Sequence, residues 1–285
     1  MMKRKATNLL RMLCTVLLCH LMASPLMANG DEYVIKNGER TLYGVLSKPP
    51  YQGKRQGIVI LAHGFAGTHH FGYRYFDALN ALGYQAYTFD FPYGSPFSTL
   101  EKNTMNMSVL DQQADLEAVV EHFRKQEQVD PKKIVVLGES QGGLVAALTA
   151  ASIGKKISKL VLVYPAFCIP YHWRAKYPNL SDIQDTTRLW RVPMGRRYFE
   201  EIHSMDAFES AKKYKKPVLI VHGDADNVVP LADSERVVKM YKNARLHVIP
   251  GAGHGFNDEQ FAKMVGWLNE FLSEKNQKTD SNEKG

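Results

Sequence analysis

Cysteine is scarce in this chain, with three in 285 residues, at positions 14, 19 and 168. The first two fall in an N-terminal apolar stretch that reads as removable, so Cys168 alone remains and a mature monomer has no intramolecular disulfide. Neither Cys14 nor Cys19 sits in the small-residue pattern of a lipoprotein site. Cys and His spacings of a zinc site are absent, so no metal or other cofactor is expected. A surplus of one charge sign is also missing. The formal charge is +7, and removing Lys3, Arg4, Lys5 and Arg11 with the N-terminal segment leaves +3. That balance gives no support for nucleic-acid binding. Internal repeats are lacking too, which excludes solenoids and propellers.

What is present begins with an address. The basic cluster Lys3–Lys5 and Arg11, the mostly apolar run 12–23 and the small residue Ala28 read as a secretory signal over 1–28. The apolar run is interrupted by His20 and is short for a bilayer span, so an uncleaved anchor is the weaker alternative. An exported protein, periplasmic or secreted and without stable membrane association after cleavage, is the expectation. The remaining chain of about 257 residues suits one α/β domain with a full core. Residues 273–285 are polar, carry no apolar stripe, and read as a disordered tail.

Between these ends, apolar runs and amphipathic stretches alternate. Glu32 to Ser47 suggests a hairpin with Asn37-Gly38 as its turn. Buried strands are expected at 57–62, 85–90, 134–136, 159–164, 216–221 and 245–249. Helices are expected at 73–82, 108–124, 144–151, 231–241 and 257–272, with Asp130-Pro131 as a break before the third strand. Strands alternating with helices predict a doubly wound, mainly parallel sheet. The segment from Pro165 to Tyr214 departs from that alternation. It shows no clear strand and is dense in aromatics and arginines, so it reads as a cap inserted at about 167–212.

The chemistry centres on Gly138-Glu139-Ser140-Gln141-Gly142, a G-x-S-x-G pattern between a strand and a helix. A sharp turn there strains its central residue, requires small neighbours and aims the Ser140 hydroxyl out of the sheet. A serine nucleophile needs a base and a group that orients the base. Downstream, Asp226 and His254 each follow a predicted strand on the same edge, and Gly253 and Gly255 free the histidine loop. Asp224 is the alternative acid. The N–H groups of Gln141 and of Phe65, in His63-Gly64-Phe65, are placed to stabilise an oxyanion. His63 and His222 read as loop braces, whereas His69 and His70 stay unassigned. In the cap, Trp173, Tyr177, Trp190 and Tyr198 are candidate substrate contacts, with a Tyr hydroxyl or Gln184 as a polar tip. The alternative is that these aromatics form the cap's own core.

Four segments carry a resemblance to a known family. They are His63-Gly64-Phe65-Ala66-Gly67, Gly138 to Gly143, Pro217 to Asp226 with Val229-Pro230, and Tyr241 through Ile249-Pro250-Gly251 to His254. The chain resembles serine esterases of the α/β-hydrolase fold, of the feruloyl (cinnamoyl) esterase type, over most of 44–272. The resemblance implies an acyl-enzyme mechanism and release of hydroxycinnamates such as ferulate from plant cell-wall polysaccharide esters. Its partner would be a small ester or a feruloylated oligosaccharide. Family members look like Asp-x-Tyr-Gly-His-Gly-x-Ser after the fourth strand, where this chain has Asp90-Phe91-Pro92-Tyr93-Gly94-Ser95-Pro96. The cap also matches poorly. A serine exopeptidase using Glu139 or cap acids to hold an amine, an acetyl (xylan) esterase, and a non-catalytic binding protein on the same fold are the other readings.

Overall fold

A computed structural model describes residues 30–50 and 53–274. Residues 1–28, read as a secretory signal, and all but the first two of residues 273–285, read as a polar tail, lie outside the described residues. Among those described, the strands are β1 (Asp31–Glu32), β2 (Ile35–Asn37), β3 (Arg40–Leu42), β4 (Gly44–Ser47), β5 (Gln56–Ala62), β6 (Tyr84–Phe89), β7 (Val129–Glu139), β8 (Lys159–Val163), β9 (Thr186–Leu189), β10 (Val192–Gly195), β11 (Val218–Gly223) and β12 (Ala244–Ile249). The α-helices are α1 (Phe76–Ala81), α2 (Val109–Arg124), α3 (Gln141–Ile153), α4 (Ile169–Lys176), α5 (Arg196–His203), α6 (Ala207–Ala211), α7 (Leu231–Val238) and α8 (Asp258–Ser273).

Eight strands form one sheet in the order β1-β4-β6-β5-β7-β8-β11-β12. From β6 to β12 all neighbours are parallel, while β4 pairs antiparallel with β6 and β1 antiparallel with β4. The strands are apolar on both sides because each face is covered. Ile58, Ile60, Val136, Leu160, Leu162 and Ile220 share one core with Leu116, Val119, Val120 and Phe123 of α2 and Leu144 to Leu148 of α3. Their sequence neighbours Val59, Leu61, Val135, Leu137, Val161 and Leu219 point the other way, onto Phe76 and Leu79 of α1 and Met264, Leu268 and Phe271 of α8. The chain leaves β5 toward β6 on one side and returns to β7 on the other. That reversal opens a crevice at the carboxyl ends of the central strands, where ligands bind in folds of this kind.

Several expectations are refined. The hairpin turn is Gly38-Glu39, one residue later than read, because Asn37 pairs with Arg40 and Gly38 takes the left-handed φ of +59°. Pro131 lies inside β7 rather than before it. The pairing with β5 skips from Val129 to Ile134, so the proline falls where no ladder bond is needed. The cap does contain strands: β9 and β10 pair antiparallel around Trp190-Arg191, where both residues hold positive φ. Residues 273 and 274, read as the start of a polar tail, are held by the fold. Ser273 closes α8, and the buried Lys159 ammonium binds the carbonyl oxygens of Leu272 at 3.3 Å and Glu274 at 2.8 Å. A cation there satisfies the free carbonyls of a helix end. No helix among the described residues is long and apolar enough to cross a membrane.

Candidate active site

Ser140 stands between the end of β7 and the first residue of α3, at φ +52° and ψ −119°. A non-glycine residue held in that region costs roughly 1–3 kcal/mol. The neighbours explain how it is held. The Ser140 N–H donates to Val163 O at 3.0 Å, and its carbonyl accepts from Gly143, Leu144 and Ala166. A Cβ at Gly138 would stand 2.2 Å from Gly142 O, and one at Gly142 would stand 2.2 Å from Ala62 O. Both glycines are therefore demanded by close backbone approach.

The residues read as base and acid come together on this edge. His254 Nε2 lies 3.0 Å from Ser140 Oγ, and its Nδ1 lies 2.7 Å from Asp226 Oδ2. Asp226 Oδ1 also accepts from the N–H groups of Val228 at 2.8 Å and Val229 at 2.9 Å. Burial alone would raise the Asp226 carboxyl, but hydrogen bonds from His222, His254, Val229 and Val228 outweigh it and hold the group well below the usual carboxylate range. Asp226 is thus an acceptor at any working pH, so His254 donates through Nδ1 and offers Nε2 to the serine hydroxyl. Asp224 points elsewhere. It is exposed and takes the Gly251 N–H at 2.6 Å, which ties down the loop that carries His254.

His222 is more than a general loop brace. Its Nε2 sits 3.1 Å from Val229 O and 3.3 Å from Asp226 Oδ2, and its Nδ1 is 2.8 Å from Ser234 Oγ. A carbonyl only accepts, so Nε2 carries the proton and steadies both the acid and its turn. His63 does the same for the loop opposite. Its Nε2 accepts from the Phe91 N–H at 3.0 Å and its Nδ1 donates to Gly64 O at 2.7 Å, while burial lowers its pKa and keeps it neutral. His69, left unassigned from sequence, pairs with Asp90 at 2.8 Å. The segment Phe91–Pro96, which departs from the family pattern, clasps the same loop: the Ala66 N–H donates to Gly94 O and Ser95 Oγ donates to Ala66 O at 2.8 Å. Neither the Phe65 nor the Gln141 backbone N–H has a hydrogen-bond partner among the described residues.

Beside Ser140 a cleft of about 290 Å³ opens beneath the cap, its walls including Phe65, Ala166, Ile169, Val228 and Val229. Trp173, Trp190 and Tyr198 line it; Tyr177 does not. Tyr177 is buried within the cap, edge-on to Phe199 at 5.7 Å, with its hydroxyl 2.7 Å from Thr187 Oγ1. It belongs to the cap's own core, because α4 and α5 need an apolar contact between them. Tyr198 has both characters, since its ring meets the cleft while its hydroxyl donates to Gln141 Oε1 at 2.8 Å. Gln184 is exposed and away from the cleft. Arg197 binds Asp111 of α2 at 2.8 Å and so ties the cap to the body of the fold, while its pair with Glu201 at 2.6 Å and that of Arg196 with Glu200 at 2.5 Å lie within α5. Sequence reading missed His172 and Lys176, the polar groups of the cleft wall. Their spacing on α4 relative to Trp173 and Ile169 was the available signal. Cys168 also lines the cleft, but burial pushes its thiol up to about 12, so it does not compete as a nucleophile. No cluster of metal-binding side chains occurs among the described residues.

The arrangement can pass a proton from a hydroxyl to an imidazole beside two free N–H donors. A mainly parallel sheet with such a strand-turn-helix corner, a Ser–His–Asp set in that chain order and a cap define an α/β-hydrolase. Residues 100–275 match the model of the prolyl oligopeptidase family, and the chain belongs to that family. An uncharacterised protein of Mycobacterium tuberculosis is 26% identical over 257 residues, covering 88% of this chain and 82% of that one. Human serine hydrolase BPHL is 26% identical over 145 residues, 44% of this chain and 50% of that one. Among solved structures, Est1E from Butyrivibrio proteoclasticus aligns with a TM-score of 0.74 at 27% identity, covering 85% of this chain and 97% of that one. Est1E with ferulic acid bound aligns at 0.76, over 84% and 97%. The chain is thus a serine hydrolase that resembles feruloyl esterases.

Proposed function

We propose that this protein is an exported carboxylic ester hydrolase that cleaves hydroxycinnamoyl esters such as feruloylated oligosaccharides. In this reading Ser140 attacks the ester carbonyl while His254 Nε2 takes its proton. Asp226 holds the imidazole and stabilises its charged form. The carbonyl oxygen becomes an oxyanion facing the N–H groups of Phe65 and Gln141, each worth on the order of 3 kcal/mol to the transition state. His254 then protonates the leaving alcohol, and water attacks the acyl-enzyme by the same route in reverse.

The observation that carries the substrate class is the apolar cleft at Ser140, walled by Trp173, Trp190 and the Tyr198 ring. A flat aromatic acyl group gains most there, against aromatic faces and away from water. The likeness to a protein solved with ferulic acid supports the same reading. The family's peptidase name raises the alternative of an exopeptidase. Against it, Glu139 is not free to bind a substrate amine, because Tyr75 and Tyr164 already occupy both its oxygens. The test is a hydrolysis panel of methyl ferulate, acetylated xylan, p-nitrophenyl acetate and aminoacyl anilides, run with Ser140→Ala alongside. Methyl ferulate should be cleaved best and Ser140→Ala should abolish turnover with its melting temperature unchanged. Preference for the anilides, or turnover retained in Ser140→Ala, would refute the assignment.

A further inference from the structure

Glu139, immediately before the nucleophile, takes no part in the mechanism above. Its carboxylate is held between two phenols: Tyr75 donates to Oε1, and Tyr164 donates to Oε2 at 2.7 Å. Burial, then the charge of Glu139 itself, pushes both tyrosine hydroxyls well above their usual range, so they stay protonated and keep donating. Burial also raises the Glu139 carboxyl, and the two phenols oppose that shift. Tyr164 follows β8 directly and is held at φ +36°, a left-handed conformation that a tyrosine adopts only under constraint. Its N–H donates to Val221 O at 2.7 Å, as the Ser140 N–H donates to Val163 O on the next strand. The constraint sets the Tyr164 ring against the His254 imidazole, with centroids 4.8 Å apart, and against Phe256 at 5.1 Å.

Carboxylate, phenol and imidazole therefore form a row that meets His254 at its ring through a tilted aromatic contact, distinct from Asp226 at Nδ1. We propose that Glu139 is a second acidic positioning residue for His254, acting through Tyr164 to favour the imidazolium that forms when Ser140 gives up its proton. The inference rests on the hydrolase reading of Ser140 and His254. Glu139 exchanges no proton in the step: the hydrogen moves from Ser140 Oγ to His254 Nε2, and the Nδ1 proton stays on the imidazole, donated to Asp226. The charged and titratable groups facing this row are few. Toward Glu139 they are Tyr75, Tyr164, Arg74 and His254. Arg74 lies over the Phe261 ring at 3.6 Å and reaches Asp258 at 3.9 Å, so its charge is partly turned away. Toward His254 they are Ser140, Asp226 and Tyr164, with His222 behind the acid.

The variants that test this are Glu139→Gln, which keeps the shape and removes the charge, Glu139→Asp, which keeps the charge, and Tyr164→Phe, which removes the link. With p-nitrophenyl acetate and methyl ferulate, Glu139→Gln should lower kcat by about threefold with KM within about twofold. Without the negative charge the imidazole releases its proton more readily, so the acid limb of kcat/KM should move to lower pH by about half a unit. Glu139→Asp should return the limb toward wild type, and Tyr164→Phe should move it the same way as Glu139→Gln by less. A Glu139→Gln enzyme with wild-type kcat and limb overturns the proposal. So does a loss of kcat with a lowered melting temperature and an unmoved limb, which marks a carboxylate that only packs the turn. If Glu139→Gln does not fold, Tyr164→Phe decides alone, and an unmoved limb there overturns it. Turnover surviving in Ser140→Ala would remove the hydrolase reading itself, whereas an inert Ser140→Ala beside a silent Glu139→Gln removes this inference only.

Discussion

Replacing Asp226 by asparagine changes one atom's chemistry and leaves the volume nearly constant. In the wild-type chain, Asp226 Oδ1 accepts two N–H groups, from Val228 and Val229, and an amide oxygen can take over both. The new NH2 must then occupy the Oδ2 position, 2.7 Å from His254 Nδ1 and 3.3 Å from His222 Nε2. A donor there turns His254 to the tautomer with its proton on Nε2, which points a hydrogen at Ser140 Oγ instead of a lone pair. It also faces the Nε2–H of His222, so two donors meet. Loss of the base and of imidazolium stabilisation should cost up to ~10⁴-fold in kcat, or about 5 kcal/mol at 1.36 kcal/mol per decade. Asp224→Asn is the internal control. Its oxygen can keep the Gly251 N–H, so activity should stay within about threefold of wild type. The assay is kcat and kcat/KM on p-nitrophenyl acetate across pH, with thermal melts of both variants. An Asp226→Asn enzyme within tenfold of wild type, or an Asp224→Asn enzyme that is the more damaged, would refute the reasoning.

Three further outcomes are expected. Trp173→Ala or Trp190→Ala should weaken methyl ferulate hydrolysis far more than p-nitrophenyl acetate hydrolysis; equal losses with a lowered melting temperature would make both residues part of the cap's packing, as Tyr177 already is. Gly142→Ala places a Cβ 2.2 Å from Ala62 O and 2.4 Å from His63 O, both backbone atoms that cannot swing aside, so urea unfolding should show a loss of at least ~2 kcal/mol. Asp90 gives a pH signature. Burial would raise its carboxyl, but bonds from the His69 ring and from the Thr99 and His69 N–H groups lower it to about 2, against a usual 3.8. A depressed native value means stability that is complete above pH 3.8 and lost as pH falls toward 2, worth about 2 kcal/mol at 1.36 kcal/mol per unit. Asp90→Asn should therefore be less stable than wild type at pH 6 and converge with it near pH 2. A constant gap across that range would exclude the linkage.

Local pattern made much of this protein legible. Continuous runs such as Gly57 to Ala62 reveal strands covered on both faces, because only a doubly flanked sheet buries every residue of a run. The G-x-S-x-G pattern identifies its turn, since Gly138 and Gly142 are required by contacts within that turn and with the adjacent strand. The chain order of Ser140, Asp226 and His254 follows from which strands they end. Turn register was less legible: Gly38 could serve at either central position, and the pairing of Asn37 with Arg40 decided it.

What the sequence could not supply depends on partners distant in the chain. Asp224 and Asp226 look alike in one dimension. Only the fold turns one toward Gly251 and seats the other among His222, His254 and two backbone donors. Tyr177 and Trp173 are equally aromatic, and both pack edge-on to Phe199 between α4 and α5, yet only the half-buried Trp173 also reaches the cleft. The hairpin β9–β10 escaped the pattern because Trp190 and Arg191 hold positive φ without the glycine or asparagine that marks such turns. Glu139 is a neighbour of Ser140 by sequence alone, but its tie to His254 runs through Tyr164, which β8 brings alongside β7. Local chemistry thus determined the elements and marked the nucleophile's turn, although the turn is held in part by the neighbouring strands, through Val163 O and the close approach of Gly142 to Ala62 O. Tertiary packing decided which acid meets the imidazole, which aromatic meets the cleft and which buried charge stands behind the base.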